Sequence, residues 1–586
     1  MSSQTGKDTL RDFTTDIRLL TLCGMAVVTG GFGAGAAWTL LKLIALFTNA
    51  AYFHILSTAP YHLVAAKLGP LSILIPVAGG LIVGLMARFG SDKIRGHGIP
   101  EAIEAILIGQ SRIEPKVALL KPLSSAIAIG TGGPFGAEGP IIMTGGALGS
   151  LFAQIFELSS AERKTLLVAG AAAGMTAVFG TPIAAILLAV ELLLFEWKPR
   201  SFIPVAVSAI VAAAIRPYLV GTAPLFPYGE IVAMPWWGLA LCAGAGIVAG
   251  LQSALMTLCL YGVEDLFRKL PIHWMWWPAL GGLAVGIGGW FDPAVLGVGY
   301  DNISALLHGT VGLDAATLLL LLKALVWIIA LSSGTSGGVL APLLIMGGAL
   351  GAIESHFLPF GDAGFWALIG MSAILGGTMR APLTATLFAV ELTGNHYMLL
   401  PVMTAAAAAF AVTVLLMRRS ILTERIARRG LHLTREYAVD PLDVTRVSEI
   451  MATPVESLPA DITIADAVNF FGSDSARHKS YPVVDDTGAV VGMVSRSDAL
   501  LWAREENGKG ETVGSQCGSK PAPVGYPDEL AGRLADRMAH ADIGRVAIVD
   551  RATGKLVGLV ARRDLLRIRL VTNKEEFARR RLIRFF

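Results

Sequence analysis

The sequence predicts an all-α multi-pass membrane protein of two related halves, followed by a smaller α/β domain. Three observations carry that prediction. First, hydrophobic residues make up 54% of the 586 residues and charged ones 16%, with a mean hydropathy of +0.62. A soluble chain of this length needs more charge to cover its surface. Second, the chain repeats itself. Pro140–Gly149 reads PIIMTGGALG and Pro342–Gly351 reads PLLIMGGALG, an offset of 342 − 140 = 202. Pro182 leads to Ala189-Val190-Glu191-Leu192 and Pro382 to Ala389-Val390-Glu391-Leu392, an offset of 382 − 182 = 200. Third, the composition turns charged and soluble-looking near residue 430. Apolar segments punctuated by Pro and Gly at matched offsets mark membrane proteins whose substrate site lies at mid-membrane, between the repeats.

Residues 1–18 read as an N-terminal cytoplasmic segment, able to form a short amphipathic surface helix. Asp8, Asp12 and Asp16 argue against a cleaved signal peptide. The membrane domain spans 19–430, with repeats at about 19–225 and 235–430. Its apolar stretches are 20–49, 71–88, 165–195, 202–220, 236–262, 274–290, 315–332, 363–392 and 398–417. Many reach the roughly 20 residues that cross the hydrocarbon core, and shorter ones suit tilted or re-entrant pieces. The 66 glycines cost an aqueous helix about 1 kcal/mol each relative to Ala. In a membrane they let helices approach closely and break. Trp236, Trp237, Trp274, Trp276 and Trp277 belong at headgroup level. Arg418, Arg419, Arg425, Arg428 and Arg429 follow the last apolar run, and Lys7, Arg11 and Arg18 precede the first, which puts both ends in the cytoplasm. A net charge of +3 suggests no nucleic-acid role. Cys23, Cys242, Cys259 and Cys517 show neither metal-ligand spacing nor a disulfide framework.

Residues 431–586 contain a repeat of their own. Tyr481–Asp485 reads YPVVD ahead of VGMVSRSD at Val491–Asp498, and Val546–Asp550 reads VAIVD ahead of VGLVARRD at Val557–Asp564. Each unit reads as strand, turn, strand, then a helix starting near the Asp. This is a tandem cytosolic α/β module, with units at about 443–505 and 511–570.

Three Gly/Pro-rich stretches precede apolar runs in the membrane domain: GHGIPE (Gly96–Glu101), GTGGPFGAEGP (Gly130–Pro140) and SSGTSGGVLAP (Ser332–Pro342). Amides at a helix start are unbonded, and the helix dipole adds partial positive charge there. Several such ends aimed at one point bind an anion without a full positive charge. Glycine keeps side chains away, and proline fits the first helical turn. A cation site would instead call for carboxylate rings or carbonyls. The membrane part lacks paired carboxylates facing a cavity, a metal-ligand cluster and a nucleophile–base pair, which disfavours an unrelated cation transporter or a membrane enzyme.

GHGIP, GAEGP, GGVLAP and the tandem module resemble the CLC chloride channel and transporter family, the soluble part resembling its paired CBS domains. The resemblance runs from about residue 15 to 570, in the family's order. It implies the CLC fold of two inverted repeats of tilted and broken helices, and a homodimer with one pore per subunit. It also implies chloride as the bound substrate ion at helix N-termini, in the lipid bilayer of a bacterial inner membrane. Glu138 matches the family's gating glutamate. Such a carboxylate mimics the anion, and protonation ends that competition. The anion-binding set carried over is His97, Gly98, Ile99, Gly136, Ala137, Gly139, Val339, Leu340 and Leu422. His97 stands where the family often has a serine donor, Leu340 where it usually has Phe, and Ala137 where it has a basic residue. Val339 and Leu340 match positions whose backbone amides hold the central chloride.

Two departures bear on proton coupling. Leu192 occupies the place of the family's inner glutamate, with Glu191 just before it, and Leu422 that of the inner tyrosine. Glu191 recurs as Glu391, so both read mainly as structural. Glu196, about one turn beyond Leu192, is the alternative proton acceptor. These losses favour a proton-gated anion channel, with a chloride/proton antiporter as the alternative. The soluble pair resembles modules that bind adenine nucleotides through a Ser/Thr and an Asp three residues on. Ser495 and Asp498 fit, whereas Ala561 leaves only Asp564 in the second unit. A purely dimerising domain is the other reading.

Overall fold

Inside a bilayer, backbone N–H and C=O groups have no water to bond, so apolar segments close their hydrogen bonds within helices. The computed structural model describes residues 17–61, 63, 69–230, 232, 234–430, 442, 445–474, 476–504, 511–517 and 523–568. The expected surface helix, with Lys7 and Arg11, lies outside these apart from its last two residues. The chain divides into two compact units, Met1–Arg435 and Glu436–Phe586.

In the first unit, α1 spans Arg18–Thr48, α2 Leu74–Phe89, α3 Ile99–Leu107, α4 Pro115–Gly130 and α5 Glu138–Gln154. Next come α6 (Ser160–Phe179), α7 (Pro182–Leu188) and α8 (Pro199–Leu219). The order then recurs as α9 (Gly238–Arg268), α10 (Trp277–Phe291), α11 (Tyr300–Leu307) and α12 (Leu313–Ser332). It ends with α13 (Leu340–Glu354), α14 (Ala363–Met379), α15 (Pro382–Thr393) and α16 (Leu399–Leu416), and α17 (Ile421–Arg428) closes the unit. Matched helices start at near-constant offsets: 300 − 99 = 201, 340 − 138 = 202 and 399 − 199 = 200.

The halves run in opposite senses. Arg18, at the start of α1, bonds Glu162 (2.5 Å), and the neighbouring Arg163 bonds the carbonyl of Gln110 beyond α3 (3.3 Å). Glu104 of α3 pairs with Arg429 just past α17. So α1 begins on the α17 side of the bilayer, while α9 ends there, its Asp265 paired with Arg428 at 2.5 Å. These are inverted repeats.

Six helical segments among the described residues are long and apolar enough to cross a membrane: Arg18–Phe53, Pro70–Phe89, Pro199–Leu219, Gly238–Arg268, Leu313–Ser332 and His396–Arg428. The expected stretches 165–195 and 363–392 are each two helices. Gly180 (φ +72°) and Arg380 (φ +55°) take the left-handed conformation, and Pro182 and Pro382 restart the helix. Small residues let the layers touch. A Cβ on Gly145 would fall 2.3 Å from the carbonyl oxygen of Gly170, and one on Gly347 2.4 Å from that of Gly370.

In the second unit, a short helix α18 (Val447–Ile450) precedes β1 (Leu458–Pro459), α19 (Ile464–Gly472), β2 (Ser480–Val484), β3 (Val490–Ser495) and α20 (Arg496–Trp502). Then follow α21 (Val513–Cys517), β4 (Val524–Gly525), α22 (Ala531–His540), β5 (Arg545–Val549) and β6 (Leu556–Ala561). Each sheet pairs its short first strand in parallel and its last strand antiparallel, in the orders β1-β2-β3 and β4-β5-β6. The strand–turn–strand–helix expectation matches β2, β3 and α20. Strands β1 and β4, two residues each, are too short to leave a period in the sequence.

Candidate functional site

The three Gly/Pro-rich stretches meet. Gly136 and Gly338 exchange backbone hydrogen bonds, N to O, of 3.0 and 2.8 Å. Gly337 donates to the carbonyl of Gly96 (3.4 Å). The contact tolerates no side chain. A Cβ on Gly139 would lie 1.7 Å from the carbonyl oxygen of His97, one on Gly98 2.6 Å from that of Gly139, and one on Gly338 2.6 Å from Glu138 Oε2. Gly96 (φ +84°) and Gly98 (φ +90°) also adopt a backbone that only glycine takes without strain.

Glu138 is the first residue of α5 and wholly buried, at 0% exposure. Neither of its carboxyl oxygens has a hydrogen-bond partner among the described residues. The donors facing it are the backbone amides of Glu138 and Ala341, at the starts of α5 and α13. Val339 is the N-cap of α13 and Leu340 its first residue, both buried. His97 precedes α3, is 2% exposed, and has no partner for either ring nitrogen among the described residues. Gly136, Ala137, Gly139 and Ile99 complete the cluster. Leu422 lies buried on α17, which packs on α3. Helix starts and a dehydrated carboxyl thus share one enclosure, the arrangement that binds a small anion or its carboxylate mimic.

The profile of the voltage gated chloride channel family matches residues 78–414, and that of the CBS domain matches 447–505 and 517–570. The chain belongs to the CLC family. A protein of Ralstonia nicotianae named as a ClcB-like chloride channel protein is 31% identical over 349 residues, 57% of this chain and 80% of the relative. An H+/Cl− exchange transporter ClcA of Citrobacter koseri is 29% identical, over 67% of this chain and 84% of the relative. A slow cyanobacterial Cl−/H+ antiporter shares the fold, with a TM-score of 0.62 at 23% identity, over 71% of this chain and 99% of its own. A eukaryotic CLC transporter does so with a TM-score of 0.56 at 19% identity, over 93% and 98%.

Two buried lysines frame this CLC site, and the sequence reading passed over both. Lys121 of α4 donates to the carbonyls of Ile94 (2.8 Å) and Gly96 (2.7 Å), pinning the turn before α3. Lys323 of α12 donates to those of Val295 (2.8 Å) and Gly297 (3.2 Å), pinning the turn before α11. Their offset, 323 − 121 = 202, and a Leu-Leu-Lys in both halves are the signal in the sequence. Glu101 and Arg425 were missed as well. Glu101 accepts from the Gly98 amide (3.0 Å), and Arg425 of α17 lies 3.2 Å from its other oxygen.

The two proton-path candidates lie elsewhere. Glu191 accepts from the amide (2.9 Å) and hydroxyl (2.6 Å) of Thr384 at the start of α15. Glu391 accepts from the amides of Ile183 (3.0 Å) and Ala184 (2.8 Å) at the start of α7. Each repeat's glutamate therefore caps a helix of the other. Glu196 bonds Ser201 (2.7 Å) and pairs with Lys164 (3.0 Å). In the CBS pair, Ser495 and Asp498 form a capping box with a 2.6 Å hydroxyl–carboxylate bond, and Asp564 accepts from the Ala561 amide (2.8 Å).

Proposed function

We propose that the protein is a chloride/proton antiporter, each subunit of a homodimer carrying its own pathway, with Glu138 as the group shared by both ions. What carries the reading is Glu138, buried at the meeting of α5 and α13, where the donors facing it among the described residues are backbone amides. Chloride and the carboxylate compete for those amides, and a proton taken up by Glu138 yields the site to the anion. Val339, Leu340 and the ring of neutral His97 supply the inner donors. Relatives named as H+/Cl− exchange transporters weigh toward exchange and away from the channel that the missing inner glutamate and tyrosine suggested. A gated channel is the second reading, favoured by Leu192, Leu422 and the relative named a chloride channel protein. Glu191 and Glu196 are assigned no proton role, because their carboxylates are engaged in caps and ion pairs.

The α17 side faces the cytoplasm of a bacterial inner membrane, in keeping with its arginines. An adenine nucleotide bound through Ser495 and Asp498 is the proposed regulator of the CBS pair. The transport reading is tested by the zero-current potential of the reconstituted protein in a pH gradient at fixed chloride. An exchanger shifts that potential with the proton gradient, and a channel leaves it at the chloride value. Glu138→Gln is expected to remove the shift and keep chloride flux.

A further inference from the structure

The inner approach to Glu138 is built around the turn before α3. Its mate in the second repeat is the turn before α11. Gly297-Val298-Gly299 mirrors Gly96-His97-Gly98, with both glycines at positive φ (+62° and +78°). The Gly297 amide donates to the carbonyl of Gly132 (2.9 Å), which ties this turn to the loop that leads into Glu138. The first residue of α11 is Tyr300. Its ring is fixed edge-on against Phe226, with centroids 5.4 Å apart. Its hydroxyl is buried and has no hydrogen-bond partner among the described residues. A buried hydroxyl without a partner is unfavourable unless another state of the molecule supplies one.

Tyr300 stands within electrostatic reach of two groups, Glu138 and Tyr61. Tyr300 and Tyr61 also line a cavity of about 390 Å³ between the second half of α1, the end of α8 and the start of α11. The other charged groups on its wall are Lys42 and Asp301. Lys323 lies behind the turn, near Gly299. The cavity belongs to the side opposite α17, because α1 starts on the α17 side and contributes Trp38–Ala45 to the wall. It has room for several waters at the roughly 30 Å³ each occupies in the liquid.

We infer that Tyr300 is the outer hydrogen-bond partner of Glu138: it receives the protonated carboxyl when that group leaves the amides of α5 and α13, and it positions the carboxyl to exchange its proton with water in the cavity. This rests on Glu138 being the group that titrates during transport. In the step, the neutral carboxyl donates its O–H to the Tyr300 oxygen. The proton then passes to a cavity water, and the carboxylate returns to the amides. Tyr300 is a positioning residue and keeps its own proton throughout.

The test is Tyr300→Phe in the full-length protein, reconstituted with one orientation addressed at a time, with chloride flux and proton movement followed while pH is varied on one side. Without the hydroxyl the neutral outward carboxyl loses one hydrogen bond, so protonation from that side needs more acid. The expected result is an acid shift of about half a pH unit or more in the profile for the side opposite α17, an unshifted profile for the α17 side, and several-fold fewer protons moved per chloride. An unshifted outer profile, or an equal shift on both sides, overturns the inference. The infrared carbonyl stretch of protonated Glu138 gives a readout independent of flux. It should rise in Tyr300→Phe as the hydrogen bond is lost, and an unmoved band also overturns the inference. If Glu138→Gln keeps the wild-type pH profile, the fault lies in the role given to Glu138, which separates that failure from this one.

Discussion

The turn before α3 and the turn before α11 share one skeleton and carry different chemistry. Each is Gly-X-Gly, each is pinned by a buried lysine, and each crosses to the opposite repeat by a backbone bond. The α3 turn holds an imidazole, His97, and below it a carboxylate, Glu101, with Arg425 beside it. The α11 turn holds Val298, and Asn302 replaces the carboxylate, its amide nitrogen bonding the carbonyl of Ala294 (2.5 Å). Only the α3 turn offers a side-chain N–H at the X position. Duplication supplied a symmetric frame, and side-chain substitution made the two approaches to Glu138 unequal.

The largest expected effect breaks the α3 turn at its tightest contact. Gly139→Ala places a methyl 1.7 Å from a backbone oxygen, which only a backbone shift can relieve. Chloride efflux from liposomes should fall by about 100-fold, as for misplacements near 1 Å. Gly299→Ala meets the end of Ile345 at 2.6 Å, an atom that can move, so the loss there should be smaller despite the strained φ. Equal losses would remove the asymmetry between the turns.

The lysines come next. Lys121→Met strands the Ile94 carbonyl and leaves that of Gly96 only its 3.4 Å bond from Gly337, and Lys323→Met strands those of Val295 and Gly297, at about 1–3 kcal/mol per group. Both variants should unfold at lower temperature in detergent. Lys121 also stands among Glu101 and Arg425, so its loss changes the charge balance beneath His97, and chloride titration calorimetry should show weaker binding. Lys323→Met should leave chloride affinity as it is. A smaller, symmetric effect is expected of the exchanged caps: Glu191→Gln and Glu391→Gln should each cost about 1 kcal/mol, and a difference between them would show that the two cross-repeat caps are not equivalent.

How much of this could be read beforehand follows the range of the forces involved. The repeats and the three glycine-rich stretches were legible because close backbone approach restricts residue type locally. The α11 turn was not singled out, since GVGYDN has neither proline nor an ionisable residue at the X position to set it apart. Lys121 and Lys323 were passed over because a lone lysine in an apolar helix says nothing of which carbonyls it meets, and those lie 25–28 residues away. Glu191 and Glu391 read as structural from their offset, but the helices they cap are 193 and 207 residues distant, beyond any periodicity. The channel preference rested on two missing side chains, Leu192 and Leu422.

The smallest expected effect separates structural carboxylates from Glu138 by pH. Burial pushes the Glu196 carboxyl up, but the Ser201 hydroxyl and the Lys164 and Lys198 ammonium groups outweigh it and hold the carboxyl below its ordinary range. A depressed carboxyl contributes stability above its unfolded value, about 4.3, and that contribution is lost as pH falls through the folded value. Under about 1 kcal/mol is at stake for so partly solvated a pair. Lys164→Met should flatten the acid limb of the stability curve without touching the pH profile of transport.

The most direct measurement of the central claim is proton movement driven by a chloride gradient alone, recorded with a pH electrode outside liposomes holding the purified protein. Chloride flowing down its gradient should drive protons uphill in the opposite direction, and Glu138→Gln should abolish proton movement while chloride still flows. Chloride flux with no proton movement in the unmodified protein would contradict exchange and leave a channel in its place.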